Sequence, residues 1–255
     1  MKIAFAGKGG VGKTTLTAWT ARYLAAQGHD VWLVDADTAL SLGQACGLDP
    51  RALPEALVRR ETLIRERIGS GIINLNPEVA DLPAALSVPV PMPGTRHGGT
   101  VRLLVMGTVT NAGGGCACEA NALLKALLAH LVLDTDEWVL VDLEAGVEHL
   151  GRGTVAAVDA LVVVSEPSRR GLDTAREVSR MAADLGLANQ ALVLNRHAGD
   201  VPPLGPGLPE RVVPIPPLAG LAARQLTDAS VLGLPEADAV DGYVGRLVDM
   251  LASGA

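Results

Sequence analysis

Near the start of the chain, Gly7-Lys8-Gly9-Gly10-Val11-Gly12-Lys13-Thr14-Thr15 brings together glycines, lysines and hydroxyls in a spacing that suits phosphate chemistry. The run fits G-x-x-x-x-G-K-[ST] at every position. Its glycines let successive backbone N–H groups turn inward around an anion. Lys13 supplies a cation for the β- and γ-phosphates of a nucleotide, and the Thr14 hydroxyl is a ligand suited to magnesium. The same residues also spell G-x-G-x-x-G, the dinucleotide fingerprint, with Asp35 at the end of the next strand. That alternative has no use for the Lys13-Thr14 pair, nor for a second acidic strand end at Asp142.

The carboxylates come next. Asp35-Ala36-Asp37 either caps the turn that follows it or stands at a strand end beside the phosphate loop. In the second case Asp35 and Asp37 can order magnesium-bound and attacking waters. Asp142 ends another apolar run and reads as the Walker B carboxylate. It is followed by Leu143-Glu144-Ala145-Gly146, where the Gly146 N–H is expected against the γ-phosphate.

A separate constellation is Cys116-Ala117-Cys118, after Gly113-Gly114-Gly115 and just before a helical run from Glu119. Thiols at a helix N-terminus have lowered pKa values, which favours metal binding. Two thiolates do not close a four-coordinate site, but two copies across a two-fold axis supply Cys₄, a set suited to Zn²⁺ or Ni²⁺. An isolated C-x-C also reads as a pair of plain loop thiols. Cys46 follows an apolar run and reads as a small buried hydrophobe. His29, His97, His130, His149 and His197 show no ligand spacing.

Strands and helices must alternate to position these groups. Apolar runs at Ile3–Ala6, Val31–Val34, Leu103–Met106, Trp138–Val141, Leu161–Val164 and Ala191–Leu194 predict core strands. Lys13–Ala26, Glu119–Leu131, Leu172–Leu185 and Glu236–Leu251 predict helices with one apolar face. The alternation predicts an α/β fold: a doubly wound, mostly parallel sheet with helices on both faces, in a single P-loop domain over residues 1–255. Leu82–Thr100 and Gly199–Pro217, rich in proline and glycine, are expected to be surface loops.

Composition narrows the partners. With 255 residues, 49% hydrophobic and only 2% aromatic, the core must be built of Ala, Val and Leu. A formal charge of −7 without a dense Lys/Arg cluster disfavours nucleic acid, which needs several phosphate-neutralising cations. No apolar run approaches the ~18 to 20 residues needed to span a bilayer, and Tyr243–Ala255 lacks the basic face of a membrane-surface helix. Three cysteines and no export signal argue for a cytoplasmic protein without a disulfide scaffold.

Lys8 stands at a loop position where an ordinary P-loop does not require lysine. In this form, GKGGVGKTT resembles the deviant Walker A family of MinD, the ParA partition ATPases and the nitrogenase iron protein. The resemblance implies an ATP-sandwich homodimer in which Lys8 reaches the partner's nucleotide, and it implies Asp37 as the residue that positions attacking water. Three further stretches, DLEAGVEHLGRGT from Asp142, GGGCACEANALL around Cys116 and Cys118, and DADTALSLGQACGL from Asp35, are similar to the CooC-type nickel-insertion ATPases of carbon monoxide dehydrogenase. Asn195 matches the family's adenine-reading asparagine, and Ile215-Pro216 resembles the segment lining the far side of the adenine. Two positions depart from the pattern. Arg196 stands where lysine is usual, and Thr38-Ala39 follows Asp37 where a proline and an acidic residue are expected.

The resemblance therefore implies an ATP- and magnesium-dependent homodimer that inserts nickel into apo-carbon monoxide dehydrogenase or a related nickel enzyme. A MinD- or ParA-like positioning ATPase is the rival, but it leaves Cys116 and Cys118 without a task. An electron donor like the iron protein would use two cysteines per chain that are widely separated.

Overall fold

The computed structural model describes residues 1–69, 74, 76–94, 98–107, 117–133, 137–144 and 158–254. Six strands are parallel to one another through the centre of the sheet: β1 (Lys2–Ala6), β2 (Val31–Ala36), β4 (Val101–Val105), β5 (Trp138–Leu143), β6 (Ala160–Ser165) and β7 (Gln190–Asn195). Two edge strands, β3 (Val88–Pro89) and β8 (Val212–Ile215), complete the order β3-β4-β2-β5-β1-β6-β7-β8. Among the described residues, only β3 runs antiparallel, against β4.

Each apolar strand is buried on both faces, so alternate residues feed two cores. Ile3, Phe5, Leu33, Leu140 and Val162 join one core. Helix α1 (Lys13–Ala26) adds Leu16 and Trp19 to it, and the C-terminal helix (Ala237–Ala252) adds Val244 and Leu247. Ala4, Ala6, Val34, Val141 and Val163 join the other core. Helix α5 (Ala117–Leu133) contributes Leu123 and Leu127 there, and α6 (Arg169–Asp184) contributes Val178. Helices therefore cover both faces, as the alternation predicts. Shorter helices are α2 (Leu42–Ala45), α3 (Glu61–Ile68), α4 (Leu82–Leu86) and α7 (Ala219–Arg224), so the C-terminal helix is α8. Among the described residues, no helix is long and apolar enough to cross a membrane.

The two expected surface loops need correction. Leu82–Thr100 contains α4 and β3, and Gly199–Pro217 contains β8. Three of their prolines sit where a missing N–H is harmless. Pro83 lies in the first turn of α4, while Pro89 and Pro214 lie in the two edge strands. A proline at a sheet edge also hinders further strand addition.

One polar knot holds the start of β7, the strand that ends at Asn195. The buried Gln190 side chain donates to the Leu187 carbonyl at 2.7 Å and the Ser179 carbonyl at 3.1 Å, and it accepts from the Ser179 hydroxyl at 2.7 Å. Gln190→Ala strands these groups away from water. It is expected to lower the unfolding free energy by about 2 to 4 kcal/mol, read as a lower urea midpoint.

Candidate functional site

Three strand ends meet at the carboxyl edge of the sheet. The register pairs Asp35 of β2 with Asp142 of β5, and Phe5 of β1 with the same Asp142. The loop leaving β1 and both aspartates are thereby brought together, at the edge where open α/β sheets bind ligands.

The phosphate loop takes its shape from its glycines. Gly7 has φ 149°, and a Cβ there would lie 2.2 Å from the Val164 carbonyl oxygen. Gly12 has φ 104°, and a Cβ there would lie 2.5 Å from the Asn195 amide. Helix α1 starts directly after Gly12 with no side-chain cap and no acidic residue in its first turn. Its positive end is left open for an anion.

Lys13 is 5% exposed and points back over the loop, 3.5 Å from the Lys8 carbonyl and 4.0 Å from an Asp37 oxygen. Gly9, Gly10, Gly12, Lys13, Thr14 and Thr15 line one side of a cleft of about 590 Å³, and Asp37 and Glu144 line another. Its far end is formed by Asn195, Arg196, Pro216 and the apolar Leu218 and Leu221. Lys8 is exposed, does not line the cleft, and makes no ion pair among the described residues. Gly7 and Val11 are buried beneath the loop.

Asp35 at the end of β2 and Asp37 just after it also do the capping work that the alternative reading gave them. Asp35 accepts from the Leu42 N–H at 3.0 Å and the Asp37 N–H at 3.4 Å. Asp37 accepts from the Ala39 N–H at 2.9 Å with one oxygen, and its other oxygen faces Lys13. Burial pushes the Asp35 carboxyl up to about 6, against the pull of those two N–H donors. Asp142 is fully buried, and burial pushes it up to about 7. The nearby Thr14 hydroxyl and Lys13 oppose that rise, while Asp35 and Asp37 add to it. Neither Asp142 oxygen has a hydrogen-bond partner of good geometry among the described residues.

Such an orphaned carboxylate beside Thr14 fits a magnesium ion, which binds through one or two carboxylates, waters and substrate phosphates. Among the described residues, no group of three or more His, Cys, Asp or Glu is arranged as an all-protein metal cage. Cys46 is buried, and burial beside Asp35 and Asp142 pushes its thiol up to about 12, so it behaves as a small hydrophobe. Gly146 and Cys116 lie outside the described residues. The backbone of Cys118 falls in the first turn of α5.

On the far side, the Asn195 amide donates to the Val11 carbonyl at 2.7 Å and accepts from the Arg196 N–H at 2.9 Å. It braces the phosphate loop as well as lining the cleft. Arg196 has φ 59° and pairs with Glu166; Leu40, after the Asp37 turn, has φ 46°. These are the two non-glycine residues with positive φ among the described residues, and they stand on the loops flanking the cleft. Strain of this kind gathers at ligand sites. Sequence reasoning missed the Glu144 and Thr38 contact on one side of the cleft, at 3.1 Å, and the apolar wall of Leu218 and Leu221.

The raised Asp142 makes a measurable stability prediction. From about pH 4 to about pH 7, the unfolded chain loses this proton before the folded one does, so the native state weakens as pH rises. Asp142→Asn should gain on the wild type across that window by up to about 1.4 kcal/mol per pH unit. Nucleotide-free thermal melts at pH 5 and pH 8 check it; an offset independent of pH would contradict it.

Residues 2–207 match the CobQ/CobB/MinD/ParA nucleotide binding domain family. The chain is 42% identical to the carbon monoxide dehydrogenase accessory protein CooC of Rhodospirillum rubrum, over 79% of this chain and 76% of that protein. It is 39% identical to an ATP-binding protein of Methanocaldococcus jannaschii, over 77% of this chain and 75% of that one. The fold is similar to that of a chain in the MinC:MinD cell division protein complex of Aquifex aeolicus, with a TM-score of 0.70 and 19% identity, covering 97% of this chain and 95% of that one. With its phosphate loop, paired strand-end aspartates and cleft, the chain belongs to the CobQ/CobB/MinD/ParA nucleotide-binding family, and among its members it is similar to CooC.

Proposed function

We propose that this ATPase is a maturation factor that uses ATP to deliver nickel to carbon monoxide dehydrogenase or a related nickel enzyme, working as a homodimer. The observation that carries the reading is the 42% identity to CooC over most of both chains, joined to a cleft with the chemistry of nucleotide hydrolysis. The loop N–H groups and the open end of α1 hold the phosphates, with Lys13 neutralising them. Thr14 and Asp142 would hold magnesium, Asp142 directly or through water, and Asp35 would order its water shell. Magnesium supplies charge that offsets the phosphate oxygens as they develop negative charge. Asp37 orients the attacking water, and Asn195, Arg196 and Pro216 frame the base.

Lys8 acts across the dimer. Its exposure outside its own cleft is what a residue serving the partner's nucleotide requires. Cys116 and Cys118 of two chains form one Cys₄ site on the dimer axis, and nickel is cargo there, with zinc as the ion the same thiolates accept. Closure on ATP assembles the site and hydrolysis opens it. By linkage, a metal bound only by the dimer tightens dimerisation as much as dimerisation tightens metal binding.

Lys13→Ala is expected to abolish ATP binding, and Asp37→Ala to keep ATP bound while stopping hydrolysis. Lys8→Ala should lose ATP-dependent dimers by sedimentation and on the order of 10³ in rate, as charges supplied in trans do. Phosphate release with normal turnover in Asp37→Ala would overturn its role. For the cargo site, metal content per chain is measured with molecular mass under reducing conditions. The double change Cys116→Ser with Cys118→Ser should lose metal and metal-induced dimers while still binding ATP. A ratio near one metal per chain, or full retention by the double variant, would exclude the shared site.

A further inference from the structure

Adjacent strands bring the two loops on one side of the cleft within reach of each other. The β2–β5 register pairs Ala36 with Leu143, so Thr38 and Glu144 leave the sheet side by side. The Thr38 hydroxyl donates to a Glu144 carboxylate oxygen at 3.1 Å, and it also stands 3.3 Å from the Asp37 oxygen that accepts the Ala39 N–H. All three side chains line the cleft.

A hydroxyl has one proton to donate, so it serves Glu144 or Asp37 but not both. While Glu144 takes it, the Asp37 oxygen keeps a free lone pair for water. Without Glu144, the same proton falls to Asp37 and weakens it as an acceptor. The geometry points to Glu144 as a positioning residue for hydrolysis, acting through Thr38 to keep Asp37 uncapped. It is Thr38, the residue standing where the resemblance leads one to expect proline, that makes this coupling available, since proline has no hydroxyl.

The inference rests on Asp37 as the residue that orients water, and the test separates the two. Steady-state ATP hydrolysis and equilibrium ATP binding are measured for Asp37→Ala, Glu144→Ala, Glu144→Gln, Thr38→Val and the double variant. Glu144→Ala should lower kcat about tenfold, or about 1.4 kcal/mol. Its KM for ATP should stay within about twofold, because the loss falls on the reacting step and not on nucleotide binding. Glu144→Gln keeps a carbonyl acceptor for Thr38 and should recover most of the loss. In the Thr38→Val background the same Glu144→Ala change should fall below about twofold, since no hydroxyl is left to misdirect. A purely structural role would give the same loss in both backgrounds. Glu144→Ser replaces the alanine variant if that variant loses ATP binding. Inactive Asp37→Ala with normal Glu144→Ala, or an undiminished loss in the Thr38→Val background, overturns the Glu144 role alone. Normal hydrolysis by Asp37→Ala overturns the reading beneath it.

Discussion

Two carboxylates, Asp35 and Asp142, face each other across neighbouring strands with almost no access to water. Like charges in that position destabilise the sheet, and burial raises both groups toward neutrality. What surrounds them answers that charge. Two backbone N–H groups satisfy Asp35, and Lys13 at the start of α1 opposes the rise of Asp142 while it faces Asp37. The helix brings its own positive end to the same point. Among the described residues Asp142 has no hydrogen-bond partner of good geometry, so the fold keeps in its centre a group that gains when a cation arrives.

Much of this was legible in the chain. The core strands announce themselves as apolar runs because a parallel sheet buries both faces. The phosphate loop fixes its own glycines, and α1 has the bounds the sequence predicts, Lys13–Ala26. Asp35, Asp37 and Asp142 were found because each closes an apolar run. Edge strands β3 and β8 were not found, since Pro89 and Pro214 argue against strands in general and only their edge position makes them acceptable. Short helices such as α2 and α3 give too few turns for an apolar period to stand out.

Contacts between distant loops were the hardest to foresee. Thr38 and Glu144 lie 106 residues apart, and Asn195 and Val11 lie 184 apart. No local pattern encodes either pair; both follow from which strands are neighbours and in what register. A bare asparagine at a strand end reads as a turn residue until the sheet order brings it against the phosphate loop.

That last contact divides the cleft mechanically. Asn195 grips the Val11 carbonyl, and Gly12 is small enough to let it approach. The base-side wall and the phosphate cradle are thus clamped into one fixed jaw. On the opposite side, the Thr38 hydroxyl joins the turn after β2 to Glu144, and Asp37 faces Lys13. A side chain at Gly12 would therefore strike the very amide that holds the Val11 carbonyl, so the two walls of that fixed side depend on one another.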